Sequence, residues 1–207
     1  MLSPHFERIF GDKSVLREWF SLLLLHFEVA TLAGPYFDFG MLAGAALAMV
    51  AASRSHPIEE MERQEVLDAM VHLPPHPEVI DGLDALQHAG FRMVTLTNSS
   101  LKAIEQQIRN AGLTSFFERN FSVDPVRRYK PAPETCQMVA AQLGVETSQL
   151  RMVAAHAWDI VGAMRAGCSA AFVERPGKTL IPLVEPPDVI GHDLLEVAEQ
   201  VIQHEIR

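Results

Sequence analysis

The feature that most constrains this 207-residue chain is a change of hydrophobic period at Leu73-Pro74-Pro75-His76-Pro77. Consecutive prolines cannot continue a helix and hold the backbone extended. Before them, no strand pattern appears. Leu16, Trp19, Phe20, Leu23 and Phe27 recur at three- and four-residue steps, which predicts a helix over 14–32 ended by Gly34-Pro35. A second helix is expected over 39–53, and a third opening with Pro57 in its first turn and Glu59 and Glu60 at its positive end. After the prolines, short apolar runs alternate with helical stretches. Strands are expected at 91–96, near 121–123, at 151–155 and at 170–173. Helices are expected at 79–89, 101–110, 133–143, 158–166 and about 193–205. Such alternation implies an α/β fold with a parallel sheet flanked by helices. The division expected is a helical part, 1–73, and an α/β part, 74–207.

Composition narrows the function classes. At 48% hydrophobic, the chain can bury one sizeable core, or a core and a smaller cap. A net charge of -9 gives no basic footprint for nucleic acid or anionic lipid. Cys136 and Cys168 are the two cysteines, too few for a disulfide scaffold, and they read as reduced thiols in a cytoplasmic protein. No secretion signal opens the chain. The most apolar stretch, 22–52, is interrupted by His26, Glu28, Gly34, Pro35 and Asp38. It leaves no uncharged run of the roughly 18–20 residues a bilayer needs.

In open parallel sheets ligands bind at the carboxyl ends of the strands. That rule picks out three islands. Thr97-Asn98-Ser99-Ser100 lies between a strand and a helix. Its polar side chains and backbone N–H groups can hold an anion, or Ser99 or Ser100 can simply cap the helix. Lys130 follows Arg127-Arg128-Tyr129 and precedes Pro131-Ala132-Pro133. The proline fixes the local chain and can aim the ammonium at a carboxylate, whereas a solvated basic loop is the plainer reading. In Ala155-His156-Ala157-Trp158-Asp159 the acid can be a helix-dipole partner, and the histidine a titrating group or a packed polar residue. No His/Cys cluster suggests a metal site.

Together, Thr-Asn after a strand, Lys-Pro some thirty residues on and Trp-Asp some thirty further resemble the second, third and fourth motifs of the haloacid dehalogenase superfamily. The likeness is closest to its type II 2-haloacid dehalogenase branch, through His156-Ala157-Trp158-Asp159 followed by a helix from Gly162 to Gly167. It extends to the helical stretch from Trp19 to Phe39 and to Phe172-Val173-Glu174-Arg175-Pro176-Gly177. The resemblance implies a Rossmann-like core with a helical cap, 1–73, inserted after the first strand. It implies a hydrolase in which an aspartate displaces halide from a small 2-haloacid and water then cleaves the aspartyl ester, with no cofactor. A Mg²⁺-dependent phosphatase of the same superfamily, or a non-catalytic remnant, is the alternative. By resemblance, Lys130 steadies the nucleophile, Asp159 orients the site or its water, and Thr97, Asn98 and His156 complete the catalytic set. Trp19, Phe20, Tyr36, Ser99 and Trp158 are the expected substrate contacts.

Several positions depart from the family. Phe20 stands where an arginine receives halide or carboxylate, Cys136 where tyrosine is usual, Ala154 where serine is usual, and His156 where asparagine is common. The nucleophile segment, of the form Phe-Asp-x-x-x-Thr-Leu, has no counterpart, because the chain opens Met1-Leu2-Ser3-Pro4. The central first strand is thus expected to be missing, with an in-frame apolar strand bearing an aspartate encoded upstream of Met1. The unpaired strand edges left behind would favour a homodimer.

Overall fold

The protein is described by a computed structural model covering residues 2–205. Four helices, α1 (Ser3–Phe10), α2 (Val15–Ala33), α3 (Phe39–Ser53) and α4 (Glu60–Met70), precede the prolines. Then come α5 (Val79–His88), β1 (Val94–Thr97), α6 (Leu101–Asn110), β2 (Arg119–Ser122) and α7 (Pro133–Leu143). The chain closes with β3 (Arg151–Ala154), α8 (Ala157–Arg165), β4 (Ser169–Val173), β5 (Val189–Gly191) and α9 (Leu194–Glu205).

The helical expectations hold to within one or two residues, with two corrections. Helix α1 was not anticipated; Pro4 sits in its first turn and Gly11, at φ 69°, ends it. The third helix starts at Glu60, leaving Pro57 outside, because Glu59 and Glu62 form a reciprocal capping box that fixes the first turn. Among the strands, the β1 ladder begins at Val94, and β5 was not foreseen. Phe91 and Met93 precede the strand and pack into a core cluster, and Met93 O accepts from Glu118 N at 3.0 Å.

The chain divides into two compact units. The first comprises residues up to Pro74, with Thr97–Thr114 and Ser122–Tyr129; the second comprises Pro75–Leu96, Ser115–Phe121 and the chain from Lys130 onward. In the first, Phe6, Trp19, Leu23, Phe27, Leu47, Val50 and Val66 are buried. The alanines of α3 let α2 approach closely enough for the Trp19 indole to donate to Ala43 O at 3.0 Å.

The second unit carries the sheet, which is in two pieces. β1 pairs with β2, and β3, β4 and β5 run in that order. The β3–β4 and β4–β5 pairings are parallel, with Val153 opposite Ala171 and Phe172 opposite Ile190. Side chains alternate between faces as the pleat requires. Ala171, Val173 and Val189 meet Val197 and Val201 of α9 on one face. Ala170 and Phe172 meet Ile160 of α8 on the other. Met93 and Ala155 flank the first face, and Leu96 and Met152 share the Cys136–Ala163–Cys168 cluster. β1 and β3 therefore lie in one layer between the same helices. Among the described residues no strand pairs the β1 edge to the β3 edge. Among them, too, no helix is long and apolar enough to cross a membrane.

Candidate active site

In the second unit, the site is built by the close approach of α8 to the Lys130-Pro131 turn. A Cβ on Gly162 would lie 2.5 Å from both Pro131 Cβ and Pro131 O, so only glycine permits this packing. Asp159, in the first turn of α8, is thereby brought to Lys130. The Lys130 ammonium donates to Asp159 Oδ2 at 3.1 Å and to Leu96 O of β1 at 3.0 Å. The two side chains are only 11% and 7% exposed, so Lys130 is not a solvated loop lysine. Its position spans the carboxyl ends of β1 and β3, where the sheet is divided. Burial raises the Asp159 carboxyl above its ordinary range, and Lys130 partly offsets this. The remaining oxygen, Oδ1, is buried and has no hydrogen-bond partner among the described residues.

His156 and Trp158 stand beside this pair. Their rings stack with centroids 5.3 Å apart, and Lys130 Nζ is 5.9 Å from the Trp158 ring centre. Lys178 Nζ lies 3.0 Å from His156 Nε2. Because an ammonium only donates, Nε2 accepts and the ring proton sits on Nδ1. Burial, then Lys178 and Lys130, lower the His156 pKa to about 4. At neutral pH the imidazole is uncharged. The Trp158 indole N–H is buried and has no hydrogen-bond partner among the described residues. No group of three or more His, Cys, Asp or Glu among the described residues is arranged to hold a metal ion.

The other expected residues lie in the first unit. Thr97 ends β1, and its Oγ1 accepts from Ser99 N at 3.1 Å. Asn98 is buried. Ser99 O accepts from Ser122 Oγ at 2.7 Å. Ser100 is the N-cap of α6, its Oγ accepting from Ala103 N at 3.3 Å, so the capping reading holds for that serine. The Tyr36 phenol donates to Asp124 Oδ1 at 2.5 Å, and its ring stacks on Tyr129, which in turn stacks on Phe27. Burial, before the Asp124 hydrogen bond, raises the Tyr36 pKa and keeps the phenol protonated. Ser99, Ser100 and Asp124 line a cavity of about 830 Å³ with residues of α3, α4 and α6. Trp19 is fully buried with its N–H satisfied, so in this structure it offers no surface to a ligand. Phe20 is half-buried, its ring centre 6.4 Å from that of Trp19.

Residues 50–173 match the haloacid dehalogenase-like hydrolase family. The chain belongs to that family. It is 28% identical over 170 residues to the (S)-2-haloacid dehalogenase of Pseudomonas sp. strain YL, covering 82% of this chain and 73% of the relative. It is 29% identical over 177 residues to the haloacetate dehalogenase H-2 of Moraxella sp. strain B, covering 86% and 78%. The solved L-2-haloacid dehalogenase of Xanthobacter autotrophicus superposes with a TM-score of 0.86 at 26% identity, over 97% of this chain and 91% of that one. The haloacid dehalogenase-like fold is thus present along almost the whole chain.

Two polar residues beside these haloacid dehalogenase-like motifs were not anticipated. Asp124 follows β2 and Lys178 follows β4. Both obey the carboxyl-end rule that selected the three islands. Applied to every strand, it would have found them.

Proposed function

We propose that this protein is a hydrolytic dehalogenase of small (S)-2-haloacids, with residues 1–73 as cap and 74–207 as catalytic core. The observation that carries the reading is the Lys130 ammonium, buried between Leu96 O and Asp159 at the carboxyl ends of β1 and β3. An ammonium so placed stabilises a second carboxylate in the layer between those strands, the place where an attacking aspartate would stand. In this reading that aspartate is carried by a strand seated between β1 and β3. It displaces halide from C2 of the substrate, forming an aspartyl ester and free halide. Water then adds to the aspartyl carbonyl, releasing the 2-hydroxy acid and regenerating the carboxylate. Asp159 Oδ1, buried and without a hydrogen-bond partner among the described residues, supplies an acceptor for that water. Thr97 and Asn98, at the end of β1 and directly after it, contribute polar groups, and His156 takes the position where asparagine is common. Phe20, Tyr36, Ser99 and Trp158 are the proposed substrate contacts. The (S)-2-haloacid dehalogenase relatives and the family membership support the reading.

The test is halide release from (S)-2-chloropropionate in the presence of a chelator, by the full-length protein. Halide release without added Mg²⁺ is expected. Phosphate release from p-nitrophenyl phosphate that depends on Mg²⁺, with no halide released from any haloacid, would overturn the proposal.

A further inference from the structure

Cys136 and Cys168 are the two cysteines of the chain, they play no part in the proposed reaction, and both belong to the second unit. Cys136 lies in the first turn of α7, and Cys168 in the link between α8 and β4. Both are free thiols, 5% and 8% exposed, and they form one buried cluster with Ala163 of α8. Leu96, Leu150, Met152 and Ala166 pack around it. Inside this apolar wall the strongest influence on each thiol is a hydrogen bond with the other. The Cys168 S–H is the donor. Its hydrogen bond, helped by Thr135 and the Lys130 charge, holds the Cys136 thiol below its ordinary range against burial and the Asp159 charge. The donor role and burial push Cys168 up. A thiol buried among apolar groups alone stays protonated and inert. Here the neighbouring sulfur offsets burial at Cys136 and keeps its own proton. One nucleophilic sulfur beside one that can resolve is what a reactive dithiol requires.

We propose that Cys136 and Cys168 form a reversible oxidation site, at which a peroxide converts the two thiols into a disulfide joining α7 to the start of β4. The Cys136 thiolate attacks one peroxide oxygen, so that an S–O bond forms, the O–O bond breaks, and the departing hydroxide takes up a proton. Cys136 is then a sulfenic acid, oxidised by two electrons. The Cys168 sulfur attacks that sulfur and its proton leaves with the displaced hydroxyl as water. Two thiols and one peroxide thus give one disulfide and two waters. The bond closes a covalent loop that contains β3, α8 and therefore Asp159. Leu96, which packs on the cysteine cluster, gives its carbonyl to Lys130, so the cross-link adjoins the residues that hold the buried ammonium. The proposal does not depend on the dehalogenase reading.

The experiment treats the reduced, folded 207-residue chain with hydrogen peroxide. Thiols are counted in denaturant, chain size is read by electrophoresis without reductant, and digestion without reduction followed by mass spectrometry finds linked peptides. The expected product is a monomer that has lost both thiols, carries a Cys136–Cys168 linked peptide pair, and regains both thiols with dithiothreitol. With two cysteines in the chain, an intramolecular disulfide can join no other pair. Two serine variants, verified as folded by circular dichroism, test the roles of the sulfurs. Cys168→Ser keeps a hydroxyl donor beside Cys136, and is expected to accumulate a Cys136 sulfenic acid that dimedone traps. Cys136→Ser is expected to label at least about tenfold more slowly. Retention of both thiols, oxygen added to either cysteine without a linked pair, or cross-links only between chains would overturn the proposal. Equal labelling of the two variants would overturn the roles given to the two sulfurs. The linked pair in the unaltered chain decides the disulfide even where a serine variant fails to fold.

Discussion

At the scale of single residues, His156 has a consequence for stability that depends on pH. Its pKa falls from an ordinary 6.5 to about 4 through burial and the neighbouring Lys178 and Lys130. The unfolded chain thus takes up a proton near pH 6.5 that the folded chain refuses until about pH 4. The stability held by neutral His156 is complete above pH 6.5 and is lost as pH falls toward 4. Asparagine at this position can accept from Lys178 without titrating, so His156→Asn is expected to flatten the fall of melting temperature between those limits. Thermal unfolding of both proteins at pH 7, 6, 5 and 4 would show it, and parallel curves would refute it. The same neighbourhood marks how far the sequence could be read. Lys130, Thr97 and Asp159 were legible because each stands in a recognisable dipeptide, Lys130-Pro131, Thr97-Asn98 and Trp158-Asp159. Lys178 was passed over because it belongs to no such dipeptide; the carboxyl-end rule marks its place after β4, but its approach to His156, 22 residues away in sequence, is seen only in the fold. Nor could the sequence show that Trp19 would be consumed by packing against Ala43.

At the scale of elements, legibility followed the strength of local chemistry. Helix α6 was placed to the residue because Ser100 caps it and Gly112 follows its end. Strand β5 is three residues long and acquires its identity from pairing with β4, which no local pattern announces. Helix α8 gives an element-level expectation that runs against propensity. Alanine in place of a mid-helix glycine ordinarily adds about 1 kcal/mol of helix stability. At Gly162 the new methyl would meet the Pro131 backbone at 2.5 to 2.8 Å, and a backbone cannot rotate away as a side chain can. Gly162→Ala is therefore expected to lower stability by about 1–3 kcal/mol, measured by urea denaturation. It should also weaken the Lys130–Asp159 pairing, because the helix that carries Asp159 must move. An unchanged or raised denaturation midpoint would show that α8 can shift freely against the turn.

At the scale of the molecule, the divided sheet is the property with the widest consequences. Among the described residues β3 is bonded by β4 on one side only, and its Val153 remains 37% exposed, whereas Ala171 of β4, paired on both sides, is fully buried. A strand with one neighbour leaves half its N–H and C=O groups outside the ladder, and each such group costs on the order of 1–3 kcal/mol when kept from water. One of these costs is met by a side chain, since the Lys130 ammonium binds Leu96 O. The alternating pattern made a parallel sheet legible, but strand order is a long-range property, and the expected break in the sheet came from resemblance alone. Amide hydrogen exchange measures it directly. Peptides covering β1 and β3 are expected to exchange much faster than those covering β4, with alternate amides of β3 unprotected, because opening them requires no unfolding. Adding an apolar peptide able to pair with both edges should slow exchange at β1 and β3 together and leave α2 and α3 unaffected. Equal, strong protection of β1, β3 and β4 in the 207-residue chain would mean that the two edges are already covered in solution. A second copy of the chain is then the first occupant to seek, by sedimentation, because two open edges offer each other the same ladder of donors and acceptors.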